Sequence, residues 1–247
     1  MYQSLRGLPY EDLDLENGIP IVELLRRAWR MFFSDGNIFV YYLVFVAVLM
    51  GASMVPAGSL IVTGPMLAGV SYVYLKVARR EKVAISNLFD GFSLFGQTLA
   101  TYLLFALIMF GGVLLCFVGA IIFSIWYFFL WYLIADGERE IWPAFVKSKE
   151  LISGFGWEIF LFMLVSGLFN MAGVLVCFVG VMVTAPITML ATAMLFDLLC
   201  AHKGYGIRNP QYVEQYWAGE PKVPPVVGPL DASGGQPPAA APTTHEE

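Results

Sequence analysis

The chain has 247 residues, 58% hydrophobic and 13% charged, with a mean hydropathy of +0.71 and a formal net charge of −5. Soluble domains carry about 25% charged residues, so an ordinary soluble domain is excluded. Basic residues cluster only in short runs such as Arg26-Arg27 and Arg79-Arg80, which excludes the basic stripe of a nucleic-acid-binding protein.

Residues 1–19 form a polar, acidic N-terminal segment with Glu11, Asp12, Asp14 and Glu16. It lacks the apolar core of a secretory signal, so the first hydrophobic stretch is expected to direct insertion. Pro20 suits the start of a helix. Beyond it Ile21, Leu24, Leu25, Ala28, Trp29 and Phe32 recur at helical spacing, with Arg26, Arg27 and Arg30 around the other face. Two readings fit: a helix on the inner leaflet with its cations near anionic headgroups, or a helix packed beneath the bundle.

Three stretches then carry no charge: Asp35 to Lys76, Asp90 to Asp136 and Glu158 to Asp197, with 40, 45 and 38 residues between their bounding charges. A bilayer core takes about 20 helical residues per crossing. Each stretch reads as a hairpin of two spans: 37–56 and 59–78, 97–115 and 118–136, 157–176 and 179–199. Gly and Pro occupy the turns, as in Pro56-Ala57-Gly58-Ser59, Gly111-Gly112 to Gly119, and Gly173 to Gly180. All 14 Lys and Arg lie outside these turns. The rule that cytoplasmic loops collect cations puts both termini and both long loops in the cytoplasm.

The chain also repeats itself. Val113-Leu114-Leu115-Cys116-Phe117-Val118-Gly119 recurs as Val174-Leu175-Val176-Cys177-Phe178-Val179-Gly180, and Val62-Thr63-Gly64-Pro65 as Val183-Thr184-Ala185-Pro186. The expected architecture is all-α. Six transmembrane helices form three parallel hairpin repeats over about 20–80, 83–140 and 141–203, within a membrane domain spanning 20–203. Each repeat opens with an amphipathic segment. The second offers Ile85, Leu88, Phe89 and Phe92, and the third Trp142 and Phe145 with Lys147 and Lys149. Residues 204–247 read as a cytoplasmic, largely disordered tail rich in Pro, Ala and Gly. Before it, Tyr212, Tyr216 and Trp217 are either a frayed end or a contact surface for membrane or partner.

No nucleophile elbow, P-loop or dinucleotide fingerprint is present. His202 and His245 lack neighbours at ligand spacing, and Cys116, Cys177 and Cys200 read as small buried hydrophobes. No catalytic residue, metal or cofactor is expected, and the protein reads as non-enzymatic. Three polar features stand out. The repeat register makes Lys76, Asp136 and Asp197 equivalent, either a charge cluster tying the hairpins together or three independent headgroup-level charges. Thr184, Thr188 and Thr192 share one helix face, as interhelical packing or as a cavity lining. Pro65 and Pro186 interrupt matching helices, as inert kinks or as marks of a transporter site.

The aromatic residues sit asymmetrically. Trp29, Trp126, Trp131, Trp142 and Trp157 flank the charged side, and the turns hold Phe but no Trp or Tyr. The shortest hairpin leaves about 17 residues, roughly 26 Å, per helix, the short edge of a full span.

Gly64-Pro65-Met66-Leu67-Ala68-Gly69 followed by Leu75-Lys76, then Glu81-Lys82-Val83, Leu88-Phe89-Asp90-Gly91-Phe92, Ala135-Asp136 and Ser148 to Gly154 leading into Trp157 form a set of marks. In these, over about 20–203, the chain resembles a broad group of bacterial multi-pass integral membrane proteins of unknown function. The resemblance implies the bacterial cytoplasmic membrane and no particular activity. The leading expectation is a structural, scaffolding or accessory component, with the lipid bilayer and a protein at the cytoplasmic face or tail as partners. A small-solute transporter or channel is the alternative, and a bilayer-shaping hairpin protein the third.

Overall fold

A computed structural model describes residues 2–3, 7–13, 15, 18–55, 58–114, 118–138, 140–175, 180–205, 207–208, 213–214 and 217. The expected disordered stretch 221–247, Tyr212, Tyr216, Cys116, Cys177 and residues 56–57, 115–117 and 176–179 of the hairpin turns lie outside the described residues. Among those described, nine α-helices form. They are α1 Ile21–Ser34, α2 Asn37–Ser53, α3 Gly58–Ala78, α4 Phe95–Leu114, α5 Val118–Trp126, α6 Leu130–Ala135, α7 Ile141–Ile152, α8 Gly156–Leu175 and α9 Val181–His202. A 3-10 helix covers Ile85–Phe92, and two-residue strands β1 (Tyr2–Gln3) and β2 (Ile207–Arg208) pair antiparallel.

Four helical stretches are long and apolar enough to cross a membrane: α3, Phe95–Val113 of α4, α8 and α9. The pair α1 and α2 passes the same test only when taken together, and the two meet at 95°. The Asp35 carboxylate accepts the Asn37 N–H at 3.1 Å, a local turn that ends one helix and starts the next. These helices point to a membrane protein with four or five candidate spans. The expected span 118–136 is divided at 127–129 into α5 and α6, and neither part reaches the length of a crossing. Crowded aromatics, Trp126-Tyr127-Phe128-Phe129, mark the break. The buried Ser148 hydroxyl of α7 donates to the Trp126 carbonyl at 2.9 Å, replacing a partner lost by the helix.

Helices α3 and α9 are the buried centre, with 72% and 83% of their most apolar stretch buried, against 17% and 22% for α4 and α8. The neighbours follow one cyclic order. Helix α2 packs on α3 and α9, α4 on α5 and α3, and α8 on α9 and α5. The preceding segments obey the same order: α1 lies on α9, the 3-10 helix on α3, and α7 on α5 and α6. Leu24, Ala28 and Phe32 are the buried stripe of α1, so this helix docks on protein along that face.

Close backbone approach explains two of the sequence marks. The 3-10 helix folds back along α3 until Leu88 meets Gly69 and Gly91 meets Pro65. A Cβ at Gly69 would collide with the Leu88 carbonyl oxygen, and one at Gly91 with the Pro65 carbonyl oxygen. Gly64 likewise admits the Thr98 carbonyl of α4. Small residues let helices approach to this distance.

Candidate functional site

Helices α3, α6 and α9 end alike. Arg80, Gly137 and Gly204 adopt φ of 57°, 94° and 74°. The next N–H in each case reaches back five residues: Glu81 to Lys76, Glu138 to Leu133 and Tyr205 to Cys200. This is the left-handed cap that satisfies the last carbonyls of a helix. Glycine takes it freely; Arg80 takes it against Cβ strain.

Just before the first two caps stand Arg79 and Asp136, and inside α9 stands Asp197. Asp197 is wholly buried and the Arg79 side chain is 7% exposed. The guanidinium grips Asp197 with two nitrogens, Nη2 to Oδ1 at 2.7 Å and Nε to Oδ2 at 3.1 Å. Its Nη1 lies 2.9 Å from Asp136 Oδ1. The Tyr10 hydroxyl donates to Asp197 Oδ2 at 2.7 Å. Burial, and then the Asp197 carboxylate, hold the Tyr10 phenol protonated by raising its pKa. One cation thus ties α3, α6 and α9 together, with the N-terminal segment as a fourth member.

Tyr10 is placed by its flanks. Arg27 of α1 donates to the Pro9 carbonyl and to both Asp12 carboxylate oxygens. Those hydrogen bonds hold the Asp12 carboxyl down at about 2. The C-terminal side closes the same end of the bundle. Lys76 Nζ meets Glu214 Oε1 at 2.9 Å, and the Trp217 indole donates to the Ala135 carbonyl at 3.2 Å. Trp217 is buried, its ring 5.4 Å from that of Tyr72. It docks on the chain's own helices.

Of the residues singled out from the sequence, Asp136 and Asp197 come together, and the cation between them is Arg79, one turn past Lys76. Lys76 is turned toward Glu214 instead. Counted from the caps, Asp136 corresponds to Arg79 and Lys203, whereas Asp197 lies two turns earlier. The linear offset therefore selected the wrong cation. A planar fork able to serve two carboxylates was the available signal for Arg79; nothing in the spacing marked Tyr10.

Thr184 and Thr188 occupy the seam between α8 and α9, whereas Thr192 lies beside Tyr132 of α6. Thr188 donates to the Ala185 carbonyl at 2.9 Å and accepts from Asn170 Nδ2 at 3.2 Å, and Thr192 donates to the Thr188 carbonyl at 2.7 Å. Thr184 Oγ1 sits against Gly173. Pro65 and Pro186 each lie inside a single helix, α3 and α9.

Glu81, beside this cluster, gives a pH test. Burial lifts its carboxyl to about 6 from an ordinary 4.5, against the pull of Arg79 and Lys76 and with the push of Asp197 and Glu214. Its folded value exceeds its unfolded one, so the folded state holds the proton more tightly. The resulting stabilisation is full below 4.5 and lost as pH rises through about 6. Unfolding midpoints should fall across that window, and Glu81→Gln should remove this part of the slope. An unchanged slope in the variant would assign the titration to another group.

Comparison with known proteins finds no matching family model, curated protein or solved structure.

Proposed function

We propose that this chain is a six-span integral protein of the bacterial cytoplasmic membrane, with both termini in the cytoplasm, acting as a non-enzymatic structural, scaffolding or accessory component. The observation that carries the reading is the cluster of Arg79, Asp136, Asp197 and Tyr10, whose charges are engaged with one another where the inner helices end. An ionisable group buried in a membrane span marks a functional pathway in many transporters. Here the partners of such groups are the chain's own helices and its own N-terminal segment. Around the same centre, Tyr74, Phe129 and Phe196 are fully buried and fill the interior.

The cyclic order of neighbours supports three parallel repeats. Each hairpin packs its outer helix, and its preceding segment, on the inner helix of the hairpin before it, and the third hands on to the first. Three such units close a ring that two could not. Within it, α2 and the divided α5–α6 are the first and fourth spans. Trp142 and Trp157, both 70% exposed, suit the cytoplasmic headgroup level.

Extraction of native membranes in mild detergent should yield the chain in a defined complex larger than itself. The pure protein in liposomes should give no saturable solute flux. One observation favours the transport alternative: Ser166 Oγ, Asn170 Oδ1 and Thr184 Oγ1 are buried without a hydrogen-bond partner among the described residues. Saturable uptake that Asn170→Ala abolishes would overturn the scaffold reading.

A further inference from the structure

Helix α1 has a second face. Opposite the stripe that docks on α9, Val22, Trp29 and Phe33 are 73%, 44% and 63% exposed. Arg26 and Arg30 project among them, their side chains 68% and 67% exposed. Successive positions on this face thus alternate apolar and cationic groups. A face turned to water would not carry Trp and Phe side by side, and one turned to hydrocarbon would not carry two arginines. Both belong at the level where headgroups meet acyl chains.

Among the described residues, the two guanidiniums of Arg26 and Arg30 share one carboxylate, Glu23, at 3.6 and 3.4 Å. That carboxylate is more closely engaged by Arg27 at 3.0 Å. Arg27 is spoken for by Asp12, so it is not part of the free charge. The apolar half of the stripe is continuous with the bundle. Trp29 packs edge-on against Phe169 of α8, their rings 6.3 Å apart, and against Phe33 at 4.9 Å. Beside Phe169 the outer face of α8 carries a stripe of exposed Leu164, Leu168, Met171 and Leu175. The bend of 95° between α1 and α2 turns this stripe away from the direction of α2.

We infer that the exposed face of α1 is a binding site for an anionic phospholipid, its phosphate held by Arg26 and Arg30 and its acyl chains lying along Trp29, Phe33 and the outer face of α8. Charge complementarity selects an anionic over a zwitterionic headgroup. The apolar track selects a lipid over a free anion. The inference rests on the membrane reading above.

The test uses the full chain in nanodiscs of phosphatidylcholine, with and without phosphatidylglycerol, read by native mass spectrometry of retained lipid and by thermal midpoint. Wild-type protein should retain phosphatidylglycerol preferentially and gain stability from it. Each basic side chain near an anionic surface is worth about fivefold in affinity, so Arg26→Gln/Arg30→Gln should lose most of that preference. The variant's midpoint in phosphatidylcholine alone should stay that of wild type, because neither side chain packs in the core. Glu23→Gln, which removes the competing carboxylate, should strengthen retention. Equal retention of both lipids, or a preference surviving the double substitution, would overturn the inference. So would inorganic phosphate reproducing the stabilisation without lipid. Failure of the chain to enter nanodiscs would instead sink the membrane reading.

Discussion

Arg79→Met should destabilise the protein by about 3–5 kcal/mol, the usual cost of stripping one partner from a buried ion pair. Two carboxylates depend on this one guanidinium: Asp197, wholly buried, and Asp136, nearly so. Without it they face each other and must take up protons or admit water. The Tyr10 hydroxyl still bonds Asp197, but a neutral donor cannot balance a charge. Lysine at position 79 should recover only part of the loss, since a point charge cannot serve Asp197 with two nitrogens while reaching Asp136. The triple change Arg79→Met/Asp136→Asn/Asp197→Asn should recover most of it, because removing every charge also removes the desolvation cost. Unfolding in detergent, followed by helical circular dichroism, reads all four proteins. A mild effect of Arg79→Met, or a triple variant no better than the single, would show that the cluster does not hold the helices together. Lys76→Met should be milder, because the carboxylate it leaves behind, Glu214, is 59% exposed and water solvates it.

Gly69→Ala and Gly91→Ala are each expected to reach or exceed the roughly 1–3 kcal/mol of ordinary overpacking. The added methyl meets backbone rather than a movable side chain: the Leu88 carbonyl in one case and the Pro65 carbonyl in the other. Relief requires the whole 3-10 helix to lift from α3. That segment is braced by Asn87, whose side chain accepts the Ala84 N–H at 2.9 Å and donates to Asp90 at 2.7 Å. The two substitutions strain the same contact, so their double variant should cost less than the sum. Gly111→Ala and Gly167→Ala, where no atom of the described residues lies within 4 Å of the added methyl, should be neutral or slightly stabilising, as Ala is the better helix former. Monodisperse yield by size exclusion and thermal midpoint measure this. Tolerance of alanine at both 69 and 91 would mean that the 3-10 helix does not sit on α3.

Much of the fold is legible in the residues. The charge-free stretches lie over α2 and α3, over α4 to α6, and over α8 and α9, and the expected spans 59–78, 97–115, 157–176 and 179–199 correspond to α3, α4, α8 and α9 within a few residues. The break in α5–α6 is not legible, because its partner lies on α7: the Ser148 hydroxyl donates to the Trp126 carbonyl from outside the helix. The amphipathic stretch of α1 is plain from its spacing, and two faces can be read from it. Which of them meets α9 is settled only by the packing of Leu24, Ala28 and Phe32.

The charge cluster divides the same way. Aspartates at 136 and 197 stand out because a carboxylate bordering an apolar run is costly to bury. The choice of Arg79 over Lys76 depends on the left-handed cap at Arg80 and on the reach of a long side chain into space shared by three helices. The sequence by itself determined the helical class and the placement of apolar segments, since a chain removed from water must satisfy its backbone internally. Only the tertiary structure decided which cation, which tyrosine and which chain end complete the cluster. Those partners lie up to 187 residues apart, and no local periodicity encodes a contact made across the bundle.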